Sequence, residues 1–201
     1  LPGDAALILI PGSKSTIGDL ADLRAQGWDV DIAAHVRRGG RVLGICGGYQ
    51  MLGHKVHDPD GLEGPAGSAD GLGLLDIETI LSPEKALTRV TGTSATGEPL
   101  SGYEIHIGRT DGPDRARPFA TIDDGTGAHQ DGAVSASGQI AGSYLHGMFS
   151  DDSFRRSFLA GLGATRFSDM NFTAEIDGVL DRLADHLEAH LDTETLFGLA
   201  R

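Results

Sequence analysis

The sequence predicts an α/β fold, and two observations carry that expectation. Residues 5–54 alternate strand, helices, strand, helix, an order that builds a layered α/β unit with its sites at the carboxyl ends of the strands. Residues 6–10 and 42–45 are continuous apolar runs bounded by turn residues, as expected of buried, parallel strands.

The elements follow in order. Ala6-Leu-Ile-Leu-Ile10 leads into Pro11-Gly12-Ser13-Lys14-Ser15-Thr16, a loop leaving the strand's carboxyl end. Residues 18–26 and 29–38 read as helices; in the second, Ile32, Ala33 and Val36 line one side and Gly39-Gly40 stops it. The strand at 42–45 turns at Cys46 into a helix whose first turn is 49–52. Residues 58–70, rich in Gly, Pro and acids, read as a loop. Runs at 74–81, 87–92, 102–107, 132–136 and 139–145 are β-like and suggest antiparallel or mixed additions to the same sheet. Residues 154–162 and 174–190 read as helices. On the last, Ile176, Val179, Leu180, Leu183, Leu187 and Leu191 form an apolar stripe, so 174–191 is expected to be a packing helix within one domain spanning 1–201.

Composition narrows the partners. The 201 residues carry 39% hydrophobic content, enough for a single sizeable core. A formal charge of −13 with no Lys/Arg stripe argues against nucleic acid. One cysteine rules out an internal disulfide and fits a reducing compartment. The apolar stretch at 5–11 is too short to span a bilayer, and no signal peptide precedes it. No membrane association and a cytoplasmic location are expected. Leu1 in place of Met, with a strand almost at once, points to a trimmed piece of something longer.

The chemistry centres on Cys46. Gly44, Gly47 and Gly48 remove side chains that would block a sharp strand-to-helix bend, and such a bend presents its thiol outward beside the free N–H groups of the helix start. Those donors favour a thiolate and can hold an oxyanion formed when it attacks a carbonyl. A lone cysteine is more often a small buried hydrophobe; the three glycines turn the balance here. Eight histidines compete as the base. His146, at the end of the apolar strand Ile140-Ala-Gly-Ser-Tyr-Leu145, leads; His106 is the runner-up. His35 reads as surface or interhelical, and His54 and His57 line the site or are solvated. His186 and His190 have metal-ligand spacing, but no third ligand accompanies them, so a solvated face is expected and no metal.

Gly44-Ile-Cys46-Gly-Gly48-Tyr-Gln50 resembles the Gly-x-Cys-x-Gly-x-Gln nucleophile motif of class I, or triad, glutamine amidotransferases. Pro11-Gly-Ser-Lys14, Gly102-Tyr-Glu-Ile-His-Ile-Gly-Arg-Thr110 and Tyr144-Leu-His-Gly147, in that order, narrow the resemblance to the glutaminase half of the cobyric acid synthase branch. Enzymes that amidate cobyrinic acid (the a,c-diamide synthases) or lipid II share the Cys and His elements and are the nearest alternatives. Cysteine hydrolases and chaperone-like proteins of related architecture lack the Gln50 and Tyr144-Leu-His-Gly147 pairing. The resemblance implies a flavodoxin-like, three-layer fold around a mostly parallel sheet, with an N-terminal strand and helix lying before Leu1.

It also implies glutamine as substrate, Cys46 as nucleophile, His146 as acid and base, and an oxyanion hole from Gly47 and the Gly12 loop. Gln50, Tyr103 and Glu104 are implied to help hold glutamine, and Lys14 and Arg109 are candidates for its α-carboxylate. Ammonia would serve the ATP-dependent amidation of corrinoid carboxylates in cobalamin biosynthesis. No Gly-x-x-x-x-Gly-Lys-Ser/Thr loop occurs, so no cofactor is expected in this chain; ATP, Mg and the corrinoid fall to a separate synthetase domain. One departure stands out. Where many class I members have His-x-Glu, this chain has His146-Gly147-Met148, leaving a Cys-His dyad or an acid borrowed from Asp151, Asp152 or Glu104. A docking or regulatory module that has lost glutaminase activity is the non-enzymatic alternative.

Overall fold

The alternation over residues 5–54 folds as the parallel half of a central sheet. The computed structural model describes residues 1–200, apart from the side chains of residues 84–86. In chain order the elements are β1 (Leu7–Ile10), α1 (Thr16–Ala25), α2 (Trp28–Arg37), β2 (Arg41–Ile45), α3 (Gly47–Met51), β3 (Lys55–Asp58) and β4 (Gly67–Asp70). There follow β5 (Glu78–Ser94), β6 (Pro99–Asp111), β7 (Ala120–Asp123), β8 (Ala128–Asp131), β9 (Ala133–Val134), β10 (Ile140–Ser143) and β11 (Leu145–His146). The helices α4 (Asp152–Gly161), α5 (Phe172–His190) and α6 (Thr193–Leu199) complete the chain.

The central sheet has the order β1-β2-β10-β9, with β1, β2 and β10 parallel and β9 antiparallel. Successive side chains of a strand face opposite ways, and β2 shows the result. Val42 enters a core with Leu20, Leu23 and Ile32 of α1 and α2, whereas Leu43 enters one with Val90, Ile122 and Phe154 of β5, β7 and α4. Both faces are therefore covered, and three layers result.

The later β-like runs depart in part from expectation. The runs at 132–136 and 139–145 supply β9 and β10 and do join the first sheet, but those at 74–81, 87–92 and 102–107 belong to a second one, β11-β6-β5-β3-β4, with β7 and β8 as a side branch. The runs at 87–92 and 102–107 lie within the long antiparallel partners β5 and β6. The segment read as a loop at 58–70 is bounded by paired strands β3 and β4, leaving only its middle irregular. β1 is less buried than its apolar run implies: it lies at the edge of its sheet, and Leu9 is 41% exposed. His35, read as surface or interhelical, is buried and bonds through Nε2 to the Arg41 carbonyl at 3.0 Å. The packing helix also needs correction. α5 forms, but none of its residues is buried, and its stripe from Ile176 to Leu191 is 41–55% exposed.

The seam between the sheets positions the site. The chain leaves the first sheet at Ser143 and enters the second at Leu145, where His146 pairs with Tyr103. Buried Asp131 holds this crossing by accepting hydrogen bonds from the Ser143 hydroxyl and, at 3.1 Å, the Tyr144 N–H.

Candidate active site

Cys46 ends β2 and opens α3 with φ 53° and ψ −113°, the only positive φ at a non-glycine among the described residues. Held strain of this kind marks a site the surrounding fold over-determines. The bend is tightly enclosed: a β-carbon added to Gly48 would lie 2.1 Å from the Ile10 carbonyl oxygen, and one on Gly47 would lie 2.8 Å from Ser13 N. The 11–13 loop is thereby pressed against the elbow.

Cys46 and His146 converge at the same place. A β-carbon on Gly12 would lie 3.5 Å from Cys46 Cβ and 3.3 Å from His146 Cε1. The imidazole stacks on the Tyr103 ring, with centroids 5.3 Å apart and planes 5° from parallel. At rest the thiol does not bond to the imidazole: it donates to the Ile105 carbonyl at 3.2 Å, and His146 Nε2 is buried without a partner among the described residues.

The electrostatics agree with that resting state. Burial pushes the Cys46 thiol up; a hydrogen bond from the Gly47 backbone opposes this, and the Glu63 charge adds to it. Burial pulls His146 down, the Ile105 carbonyl opposes, and the His106 charge adds. Near pH 7 the pair is a thiol and a neutral imidazole, so the base is free but the nucleophile is unformed. Alkylation of Cys46 by iodoacetamide is therefore expected to be slow at pH 7 and to climb only above the ordinary thiol range. A rate already at its plateau at pH 7 would instead reveal a thiolate–imidazolium pair.

The other sequence-derived residues separate into three groups. Gln50 is buried and committed: its Oε1 accepts from Thr16 Oγ1 at 3.2 Å, and its Nε2 donates to the Ile107 carbonyl and the Tyr144 hydroxyl, both at 3.1 Å. It ties α1 and α3 to β6 and the seam. Tyr103 lies at the site through its stack on His146, 42% exposed.

The acids proposed as orienters are all engaged elsewhere. Glu104 bonds to His106 Nε2 at 3.0 Å and faces His129 at 3.4 Å, which keeps its carboxyl below the usual range. Asp151 caps α4 through Ser153 N and Phe154 N, and Asp152 pairs with Arg155. No carboxylate forms an ion pair with His146 among the described residues. Met148 is fully buried in the second core. Arg109 borders a cavity of about 620 Å³ that neither Cys46 nor His146 lines, and Lys14 is exposed.

Two contributors escaped the sequence reading. Glu63 accepts a hydrogen bond from Thr16 N at 2.6 Å, at the start of α1, and its charge reaches Cys46. Buried Asp58 folds the intervening turn by accepting from Leu62 N and Glu63 N at 2.8 and 3.0 Å. The Ile105 carbonyl is the other, a backbone atom with no side-chain signature. No group of three or more His, Cys, Asp or Glu among the described residues is arranged to hold a metal, and no described helix is long and apolar enough to cross a membrane.

A family model described as the CobB/CobQ-like glutamine amidotransferase domain matches residues 1–154. Among curated relatives, a cobyric acid synthase of Cereibacter sphaeroides is 63% identical over 202 residues, covering 100% of this chain and 41% of that protein. Those of Paracoccus denitrificans and Bradyrhizobium diazoefficiens are 62% and 59% identical, again over 100% of this chain and 40% and 41% of theirs. The chain thus spans about two fifths of the length of the relatives it matches. Two solved structures share the fold. One is a glutamine amidotransferase with TM-score 0.50 and 17% identity, over 79% of this chain and 80% of the other. The second, PurLQS from Thermotoga maritima, has TM-score 0.53 and 18% identity, over 79% and 81%.

Proposed function

The chain belongs to the family of CobB/CobQ-like glutamine amidotransferase domains, and on that footing we propose that it hydrolyses glutamine through a Cys46 thioester. The ammonia would serve ATP-dependent amidation of corrinoid carboxylates in cobalamin biosynthesis. The observation that carries the reading is the convergence of a strained Cys46 and a partnerless, buried His146 nitrogen on Gly12. The corrinoid and pathway assignments rest on the relatives' name and on the Gly102–Thr110 and Tyr144–Gly147 motifs.

Glutamine displaces the thiol from the Ile105 carbonyl, and His146 Nε2 takes its proton. The thiolate attacks the side-chain amide carbon, and the negative oxygen is held by the Gly47 N–H and a donor of the 12–13 loop. The intermediate collapses as His146 protonates the departing nitrogen. Ammonia leaves, and a γ-glutamyl thioester remains on Cys46. Water, deprotonated by the same imidazole, cleaves the thioester to glutamate and restores the thiol. Tyr103 holds the imidazole plane, while Gln50 acts by fixing α3 against β6 and Glu104 by fixing His106. ATP, Mg and corrinoid bind a synthetase portion of the longer polypeptide.

With its acids engaged elsewhere and its thiol parked on Ile105, the site is a conditional one. Glutamate release by this chain alone is expected to be slow and to rise about tenfold or more when the synthetase portion, ATP, Mg and a corrinoid acid are supplied, the scale of a ~1–3 kcal/mol coupling. Equal rates in both conditions would contradict this.

A further inference from the structure

α5 is tied to the body at one end. Its first residue donates through Phe172 N to Asp152 Oδ1 at 3.2 Å, and the Arg155 guanidinium sits 6.0 Å from the Phe172 ring centre. Beyond that anchor no residue of α5 or α6 is buried. The helix is nevertheless well formed: Asn171 caps its start by accepting from Ala174 N at 3.0 Å, and nineteen residues make a rod about 28 Å long. Along one side run Ile176, Val179, Leu180, Leu183 and Leu187, each 41–55% exposed. Spacing of three and four keeps them on one face, and such a continuous apolar strip on a free surface marks an interaction site.

We infer that this face of α5 docks onto the synthetase portion of the longer polypeptide, in an apolar groove with a basic rim. This rests on the reading of the chain as one part of a two-part enzyme. The domain-family match stops at residue 154, before α5, whereas the cobyric acid synthase relatives align through the whole chain and continue for well over half their own length. The helices thus lie outside the segment that the family model matches and inside the segment shared with the longer relatives.

Charge selects the partner's rim. The rest of α5 carries Glu175, Asp177, Asp181, Asp185 and Glu188 against the single Arg182. A second copy would bring the same acids together on two chains of charge −13, and that repulsion favours a different, basic partner.

Hydroxyl-radical footprinting tests the inference by reading side-chain access directly, on this chain and on the full polypeptide with the synthetase portion. Oxidation of Leu183 and Leu187 is expected to fall severalfold in the full polypeptide and to be independent of concentration in the chain alone. Leu183→Asp with Leu187→Asp should leave the chain's unfolding midpoint unchanged. In the full polypeptide it should lower glutamine-dependent amidation about tenfold while ammonia-dependent amidation stays intact. Equal oxidation in both forms overturns the proposal. So does protection of the chain alone that grows with concentration as its mass doubles, which would assign the face to a second copy. Because footprinting needs no turnover, loss of the glutaminase reading, seen as a Cys46 that never reacts with a glutamine analogue, is distinguishable from loss of this one.

Discussion

Cys46→Ala is expected to lower glutamate release from glutamine by about 10⁴-fold or more, with the fold intact. A nucleophile and its base act as a unit, so removing either costs nearly as much as removing both, and factors of ~10⁴–10⁶ are typical. Nothing nearby can substitute, because Cys46 is the only cysteine. His146→Ala should fall to a similar level, and the double variant little further. A hydroxyl in Cys46→Ser would be harder still to ionise in a pocket whose burial already disfavours the thiolate. The check is glutamate release in the full polypeptide, beside an unchanged unfolding midpoint for each variant. Residual activity within tenfold of the parent would remove Cys46 from the mechanism.

A large loss of stability is expected at Gly48 on substitution by Ala. An added methyl would lie 2.1 Å from the Ile10 carbonyl oxygen, 2.7 Å from its carbon and 2.8 Å from the Pro11 oxygen. All three are backbone atoms of β1 and the loop after it, so neither neighbour yields by rotating a side chain. Overpacking against backbone costs about 3 kcal/mol or more. For a domain of this size each kcal/mol moves the midpoint by ~2–4 °C, so Gly48→Ala should unfold roughly 10 °C lower. The same shift pushes the Gly12 loop away from Cys46, and activity should fall even where the protein remains folded.

Gly178→Ala is the control. It lies inside α5 with only the Arg182 guanidinium 3.6 Å from the new carbon. The helix gains propensity there, ~0.5–1 kcal/mol in α5's local stability. Matching losses at the two sites would mean that crowding at the elbow is not the cause.

How far the sequence reaches depends on the kind of signal each feature carries. The elbow was legible because three glycines beside a lone cysteine have few other uses, and His146 because it ends an apolar strand. The continuous runs at 6–10 and 42–45 correctly implied parallel strands, yet nothing in them says which strand lies at an edge, and Leu9 is exposed for that reason. Gly67–Asp70 and Ala128–Asp131 have no apolar alternation and become strands only through their partners. The same limit explains the second sheet: the runs from 74 to 145 identified strands without saying which of them pair.

α5 shows the converse failure. Its period announced an apolar face but could not say that its partner lies outside this chain's own body. At the site, the turn at Cys46 and the nearness of His146 were readable, but the hydrogen-bond commitments of the surrounding side chains were not. That Gln50 is held by Thr16, Ile107 and Tyr144, that Glu104 is spent on two histidines, and that a backbone carbonyl accepts the thiol's hydrogen bond all follow from tertiary placement.

The central claim is that Cys46 and His146 together make a glutamine-directed nucleophile. A glutamine-like diazo ketone, which alkylates a thiol in that setting with loss of dinitrogen, tests it by intact mass. The account predicts one adduct, located on Cys46, suppressed by excess glutamine and absent in His146→Ala. No adduct under any condition, even with the synthetase portion, ATP and corrinoid acid present, would contradict it, as would labelling of Cys46 that neither glutamine nor His146→Ala diminishes.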